Sequence, residues 1–546
     1  MRQLTILGLA TLATLAIGCS QPEAPVRPEP PLLQVLSPDR GTMQPDLATI
    51  EVRGTVAPSP DSGAVITRVE VNGTAARLDA QGNWSATVTL ASGANLLRTT
   101  ATDALGHTAS DTRGVVTGDL RPLDTVIENA LAAGLSAQAF DKLGDTAATL
   151  VEQSDLGAFV APYNPVIAKG LTNGEEDCLF GKVSVKPGLD VAAAYLSLVP
   201  TSSGLALDAE LVGLDIPLHT RYAAACINGQ TDIRITAQRA RIRGALAITV
   251  KAGRFDVKLL DPSVTFTGFD VQASGVPGAV IDLLDLDQEI AKTLAWAVER
   301  FLAPMVDKAL AGVEVGNQDV SLLGQTLRVG VSPAGVAFDA RGAEVVLDAA
   351  LTVQGANARF VYTENQVPPG RGDAGVALAV ADDTLNQLLA GFWARGGFDR
   401  VLEQHLGMFD AVRLDAMLPP VVSAGADGEL RLVMPDLMVE LRTQGQMMVR
   451  LAMNVEARLK VEPAASTYAA RITLALPTMK ADIIENVMGI PDTELEKLFP
   501  GAIASTIDTF APLLGAVPLP AVYGIVVSDL RMGGSAGYVT VSASIH

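Results

Sequence analysis

The sequence predicts an α+β fold that is mostly β: an N-terminal β-sandwich, then two tandem units of long antiparallel sheet and apolar helix. Three observations predict it. Short alternating strands separated by Gly-rich turns fill residues 33–117. Much longer alternation begins at Gly118. Amphipathic helices interrupt it, and the order of elements occurs twice.

The chain opens Met1-Arg2 and then runs uncharged from Leu4 to Gly18. That run is shorter than the ~20 residues a spanning helix needs, and it reads as a secretory signal. Leu15-Ala16-Ile17-Gly18-Cys19 resembles the lipobox of bacterial lipoproteins. The resemblance implies removal of residues 1–18 and a diacylglycerol anchor on Cys19. Ser20 stands where an Asp would retain the protein at the inner membrane, so the expected place is the bacterial outer membrane, on its periplasmic face or at the cell surface. Residues 19–32 form a Pro-rich linker.

In the sandwich, Val69-Glu70-Val71-Asn72-Gly73 alternates and then turns. Asp79 to Trp84 is a second turn, leading into a strand that ends at Leu90, and Gly93-Ala94-Asn95 is a third. This spacing of strands and turns resembles the bacterial Ig-like modules appended to surface proteins, which serve as spacers.

Beyond Gly118, the clearest strand is Val449–Val461. Val449, Leu451, Met453, Val455, Ala457, Leu459 and Val461 share one face, and Arg450, Asn454, Glu456, Arg458 and Lys460 share the other. At ~3.3 Å per residue it reaches about 43 Å. One buried and one wet face are expected. Leu246, Ile248 and Val250 alternate in the same way, as do Leu437, Val439 and Leu441. Four helices interrupt these strands. Ser136 caps the first, with a stripe at Phe140, Leu143, Ala147, Leu150 and Val151. The second carries Ile290, Leu294, Val298, Phe301, Leu302 and Met305. The third starts near Asp382 and carries Leu385, Leu388, Leu389 and Phe392; the fourth carries Ile503, Ile507, Phe510 and Leu514.

Leu135, Phe140 and Leu143 share a spacing with Val380, Leu385 and Leu388. Gly275-Val276-Pro277 precedes the second helix as Gly489-Ile490-Pro491 precedes the fourth, and those helices share Ala303-Pro304 and Ala511-Pro512. Leu327 to Gly335 echoes Leu530 to Gly537. The repeat places one copy at 118–345 and the other at 346–546.

Residues 134–153 (GLSAQAFDKLGDTAATLVEQ), 375–398 (GVALAVADDTLNQLLAGFWARGGF) and 517–545 (VPLPAVYGIVVSDLRMGGSAGYVTVSASI) resemble the tubular lipid-binding superfamily. That superfamily includes bactericidal/permeability-increasing protein, lipopolysaccharide-binding protein and cholesteryl ester transfer protein. The resemblance implies two barrels, each a long twisted antiparallel sheet wrapped around a long helix, holding acyl chains between sheet and helix. The lining expected is Phe140, Leu143, Leu294, Val298, Phe301, Leu385, Leu388, Phe392, Ile507 and Phe510. The partners implied are membrane lipids, phospholipid or another acyl-chain ligand. Antibacterial members present a basic tip; this chain carries a net charge of −20 and no Lys/Arg cluster, so a neutral or weakly charged lipid is expected.

The same charge argues against nucleic acid as a partner. With Cys19 consumed by lipid, Cys178 and Cys226 remain, either as one disulfide of an oxidising compartment or as two buried thiols. Gly533-Gly534-Ser535-Ala536-Gly537 fits a nucleophile-elbow pattern, but no acid follows and the sole later His is His546, so a turn between strands is expected. The four His show no metal-ligand spacing. Asp382-Asp383 at a helix start is read as complementing the helix dipole. No enzyme, metal or cofactor is expected. The chain is read as a lipid-binding and lipid-shuttling envelope protein. The alternative is a surface-displayed adhesion or scaffold protein.

Overall fold

A computed structural model describes residues 30–546 except 174, 312–315, 323, 364–374, 404–407, 426–429, 464–468, 490–515, 519–526, 536 and 546. The signal, Cys19, most of the linker, and the fourth helix with Ile507 and Phe510 lie outside the described residues. The chain is mostly β. It divides into two units: residues up to Ser37 with Glu51–Val88 and Arg98–Asp111, and Pro38–Ile50 with Thr89–Leu97 and Thr112 onward. Among the described residues, no helix is long and apolar enough to cross a membrane.

The first unit is built on an Ig-like sandwich. Leu32–Ser37, Thr49–Ala57, Asn83–Thr89 and Arg77–Leu78 follow one another in one sheet. In the other sheet Ile66–Val71 pairs with Gly93–Asp103 and with Thr74–Ala75. Val52, Val69, Trp84, Val88 and Ala101 are buried between them. The turn read at Asn72-Gly73 has φ of 48° and 80°, the left-handed pair that a two-residue hairpin demands.

The second unit is organised around a seven-stranded sheet in the order Gly316–Leu322, Gln325–Asp339, Gly342–Val353, Ile127–Ser136, Val376–Ala381, Tyr538–Ile545, Val527–Ser535. Its middle pair, Ile127–Ser136 and Val376–Ala381, is antiparallel, with Leu135 opposite Val376 and Leu131 opposite Val380. Each of these strands runs directly into a helix: α1 (Ala137–Gln153) after the first and α5 (Asp382–Ala394) after the second. The two stretches that share a spacing in sequence are therefore neighbours about a local two-fold. The boundary expected between 345 and 346 falls inside Gly342–Val353, which pairs with Ile127–Ser136 on one side and Gln325–Asp339 on the other.

A second sheet follows α1 and α2 (Leu156–Val160). Its strands are Ile167–Thr172, Glu175–Val185, Gly204–Ala224, Ile227–Lys251 and Arg254–Thr267, and Ala193–Thr201 also pairs along Gly204–Ala224. The central hairpin strands have 21 and 25 residues, beyond the ~3–10 usual in globular proteins. α3 (Gly278–Leu284) and α4 (Leu286–Ala311) then lead back to the first sheet. A third sheet follows α5, with Arg400–Leu402, Ala411–Ala416, Leu430–Thr443, Gln446–Pro463, Ala469–Asn486 and Ala516–Pro518 in that order. Cys178 and Cys226 are joined in a disulfide, and the Cys226 N–H donates to the Cys178 carbonyl at 2.9 Å.

Two readings of the sequence are corrected. Asn454, assigned to a wet face, is buried: its amide donates to the Thr112 carbonyl at 2.9 Å and accepts from the Asp436 N–H at 2.9 Å. The strand is covered on both faces there. The Leu327–Gly335 and Leu530–Gly537 echo is out of register. Gly537 lies in the hairpin turn after Ser535, whereas Gly335 sits inside its strand, well before the turn at Ala340 and Arg341. The pairing of Ser535 with Tyr538 makes the Gly-x-Ser-x-Gly segment a strand-to-strand turn, as expected.

Candidate functional site: an apolar crevice between helices and sheet

Ser136 caps α1, its Oγ accepting from the Ala139 N–H at 3.3 Å and from the Gly375 N–H at 3.0 Å. This fixes the helix on the first sheet. Phe140, Leu143 and Ala147, spaced along one stripe, are buried. Gly144 sits where α1 meets Ala193–Thr201; a Cβ there would lie 2.5 Å from the Leu196 carbonyl oxygen. Glycine thus sets the close approach of helix and strand despite its cost of ~1 kcal/mol in a helix.

Ala147, Ala148 and Val151 of α1, Leu156, Phe159 and Val160 of α2, and one face of α4 enclose a crevice over the strands Ala193–Thr201 and Gly204–Ala224. The sheet contributes Ala194, Leu196, Ala209, Leu211, Leu214 and Ile216; α4 contributes Ile290, Leu294, Ala297, Val298, Phe301 and Leu302. Thr293 and Tyr195 bring the only hydroxyls among its lining side chains. The space between atoms, open mouth included, is about 910 Å³, of which about 90 Å³ admits the centre of a water-sized sphere. A single water needs ~10–15 Å³ by that measure, and a lining this apolar offers water almost no hydrogen-bond partners.

Of the residues expected to line such a groove, Leu294, Val298 and Phe301 come together here. Phe301 meets Phe159 edge-on with ring centroids 6.1 Å apart. Phe140 and Leu143 are in the packed core beside the crevice, with the Phe140 ring 6.2 Å from that of Phe338. Leu385, Leu388 and Phe392 belong to a separate core against the third sheet, where Phe392 is buried and the two leucines are half-buried. The lining from α2, Ala193–Thr201 and the C-terminal half of α1 was missed. Gly144, a glycine inside a helical pattern, was the visible signal of close packing there.

An exposed aromatic pair involves Trp296, the residue before Ala297 of the crevice wall. Trp296 and Tyr163 are 37% and 41% exposed, with ring centroids 4.6 Å apart and planes at 74°. The Arg300 guanidinium carbon is 5.8 Å from the Tyr163 ring centroid, and its Nε donates to Tyr163 Oη at 3.3 Å. At the start of α4, Lys169 and Lys292 hold the Glu289 carboxyl below its ordinary value.

α5 carries a buried polar face instead. Asn386 exchanges hydrogen bonds with the backbone of Val422, at 2.7 and 3.0 Å. The Gln387 amide donates to the Leu123 and Thr125 carbonyls and accepts from the Leu351 N–H. Asp383 Oδ1 accepts from the Thr363 N–H at 2.8 Å. Burial pushes the Asp382 carboxyl up to about 6. The acidic pair complements the helix terminus, and it also ties α5 to flanking backbone.

Sequence comparison bears on the sandwich. Residues 31–118 match the family model of glucodextranase, domain B. None of the curated proteins matches the chain in sequence. Among solved structures, lipopolysaccharide binding protein is similar at 13% identity over 77% of this chain and 99% of that one, with a TM-score of 0.36. P47 of Clostridium botulinum E1 is similar at 8% identity over 77% of this chain and 100% of that one, with a TM-score of 0.27.

Proposed function

We propose that this chain binds acyl-chain lipids in the crevice between α1, α4 and the second sheet, and shuttles them as an envelope protein anchored in the outer membrane through Cys19. In this reading the two strand–helix–sheet halves are the tandem barrels of the tubular lipid-binding superfamily, the Ig-like module is a spacer, and no catalysis is involved. The observation that carries it is a slot lined almost wholly by aliphatic and Phe side chains. Each methylene buried there contributes ~0.8 kcal/mol without any polar contact. Leaving a bilayer costs a chain a similar amount, so loading is reversible, as a carrier needs.

The test is native mass spectrometry of residues 20–546 purified without added lipid, followed by uptake of a fluorescent phospholipid from vesicles. Bound acyl lipid and saturable uptake are expected. An empty protein that takes up none would overturn the reading, and a protein partner captured without lipid would favour the adhesion or scaffold alternative.

A further inference from the structure

Three features next to the crevice wall on α4 converge. Residues four apart on α4 lie on one ridge. Thr293, Ala297 and Phe301 form one of the two ridges that line the slot. The adjacent ridge, one residue back, is Lys292, Trp296 and Arg300, all of them exposed. Lys292 is engaged by Glu289 at 2.9 Å. Arg300 makes no ion pair among the described residues; its guanidinium donates to the Tyr163 hydroxyl. A guanidinium without an ion pair among the described residues therefore stands next in sequence to Phe301 of the slot wall, in a chain whose net charge is −20. Trp296 and Tyr163 flank it, side chains that place a ring against apolar surface and a polar tip in water. Tyr195, 63% exposed, adds another such side chain from the strand wall.

We infer that Arg300, with Trp296 and Tyr163 beside it, is a headgroup site for the phosphate of a glycerophospholipid whose acyl chain occupies the crevice. The inference rests on the lipid-binding reading and narrows its ligand class. A guanidinium offers forked donors to phosphate oxygens. The aromatic pair sits at the level where glycerol meets acyl chain. A diacylglycerol with the same chains would fill the slot and leave Arg300 without its anion.

The experiment uses the full-length protein and two probes sharing one pyrene-labelled acyl chain, a phosphatidylglycerol and a diacylglycerol. Wild type should bind the phospholipid about tenfold more tightly. Arg300→Gln should remove that preference and leave diacylglycerol binding unchanged; Arg300→Lys should keep part of it. Trp296→Ala should weaken both probes, and melting temperatures verify that each variant is folded. Equal affinity of wild type for the two probes, or an equal loss for both in Arg300→Gln, overturns the headgroup site and leaves the lipid-binding reading standing. Failure of both probes to bind wild type overturns both. Displacement of the phospholipid by inorganic phosphate alone would assign Arg300 to free phosphate and overturn the inference.

Discussion

Asp382 Oδ2 accepts a hydrogen bond from the backbone N–H of Ala424 at 3.0 Å. The first turn of α5 is thereby attached to the strand Val421–Ala424 through a carboxyl that is almost wholly buried. Burial outweighs the hydrogen bonds it receives, so the proton is held more tightly in the folded chain than in the unfolded one.

The consequence for stability has a definite sign. A carboxyl raised from 3.8 to about 6 contributes stability in full below the lower value, and that contribution is lost as pH rises through the upper one. From this group, stability should decline between those limits by on the order of 3 kcal/mol. Asp382→Asn should flatten that part of the profile. Melting curves of both proteins from about pH 4 to pH 8 check it; profiles that stay parallel throughout would refute it.

Filling the crevice should separate ligand binding from folding. Ala297 lines the slot from α4 and is only half-buried. Ala297→Phe is expected to remove most bound lipid while shifting the melting temperature by no more than ~2–4 °C. Phe140→Ala, in the packed core, should cost ~3–5 kcal/mol. Lipid loading and thermal denaturation measured on the same samples distinguish the two.

The stripe on α4 was legible because helical periodicity shows which residues share a face. Periodicity does not show whether that face meets atoms or space. Phe140 and Leu143 obey the same rule as Leu294 and Val298, yet both lie in packed core, with Phe140 against Phe338. The alternation around Asn454 was equally regular. What buries that residue is Thr112 and Asp436, a contact no local window contains. The hairpin echo slipped because alternating strands resemble one another at many offsets.

Arg40 and Asp436 form a buried ion pair at 3.1 Å, with Asp436 also accepting from the Gly41 N–H at 3.0 Å. Burial still raises the Asp436 carboxyl, against the pull of Gly41 and Arg40. Arg40→Met should leave that charge stranded and cost ~3–5 kcal/mol, with Arg40→Met/Asp436→Asn recovering much of the loss. Denaturant titration of the two variants measures the difference; equal losses would show that the pairing is not the cause.

The Cys178–Cys226 bridge closes a separation of 48 residues at one end of the long hairpin. Reduction should lower stability by ~2–4 kcal/mol. Cys178→Ser/Cys226→Ser should reproduce that loss and make the protein insensitive to dithiothreitol. A melting temperature unchanged by either treatment would count against a structural role.

The pairing of Ile127–Ser136 with Val376–Ala381 also sets a timetable. A chain emerges N-terminus first, whether from the ribosome or from a membrane channel, so Ile127–Ser136 is free before Val376–Ala381 arrives to pair with it. Val376–Ala381 must then wait for Tyr538–Ile545, its neighbour on the other side. Through that interval an alanine-rich strand edge stands open to wrong partners. Contacts so distant in sequence form slowly. The seam that joins the two halves is therefore completed last, and a chain shortened before Tyr538 is left with an unpaired edge.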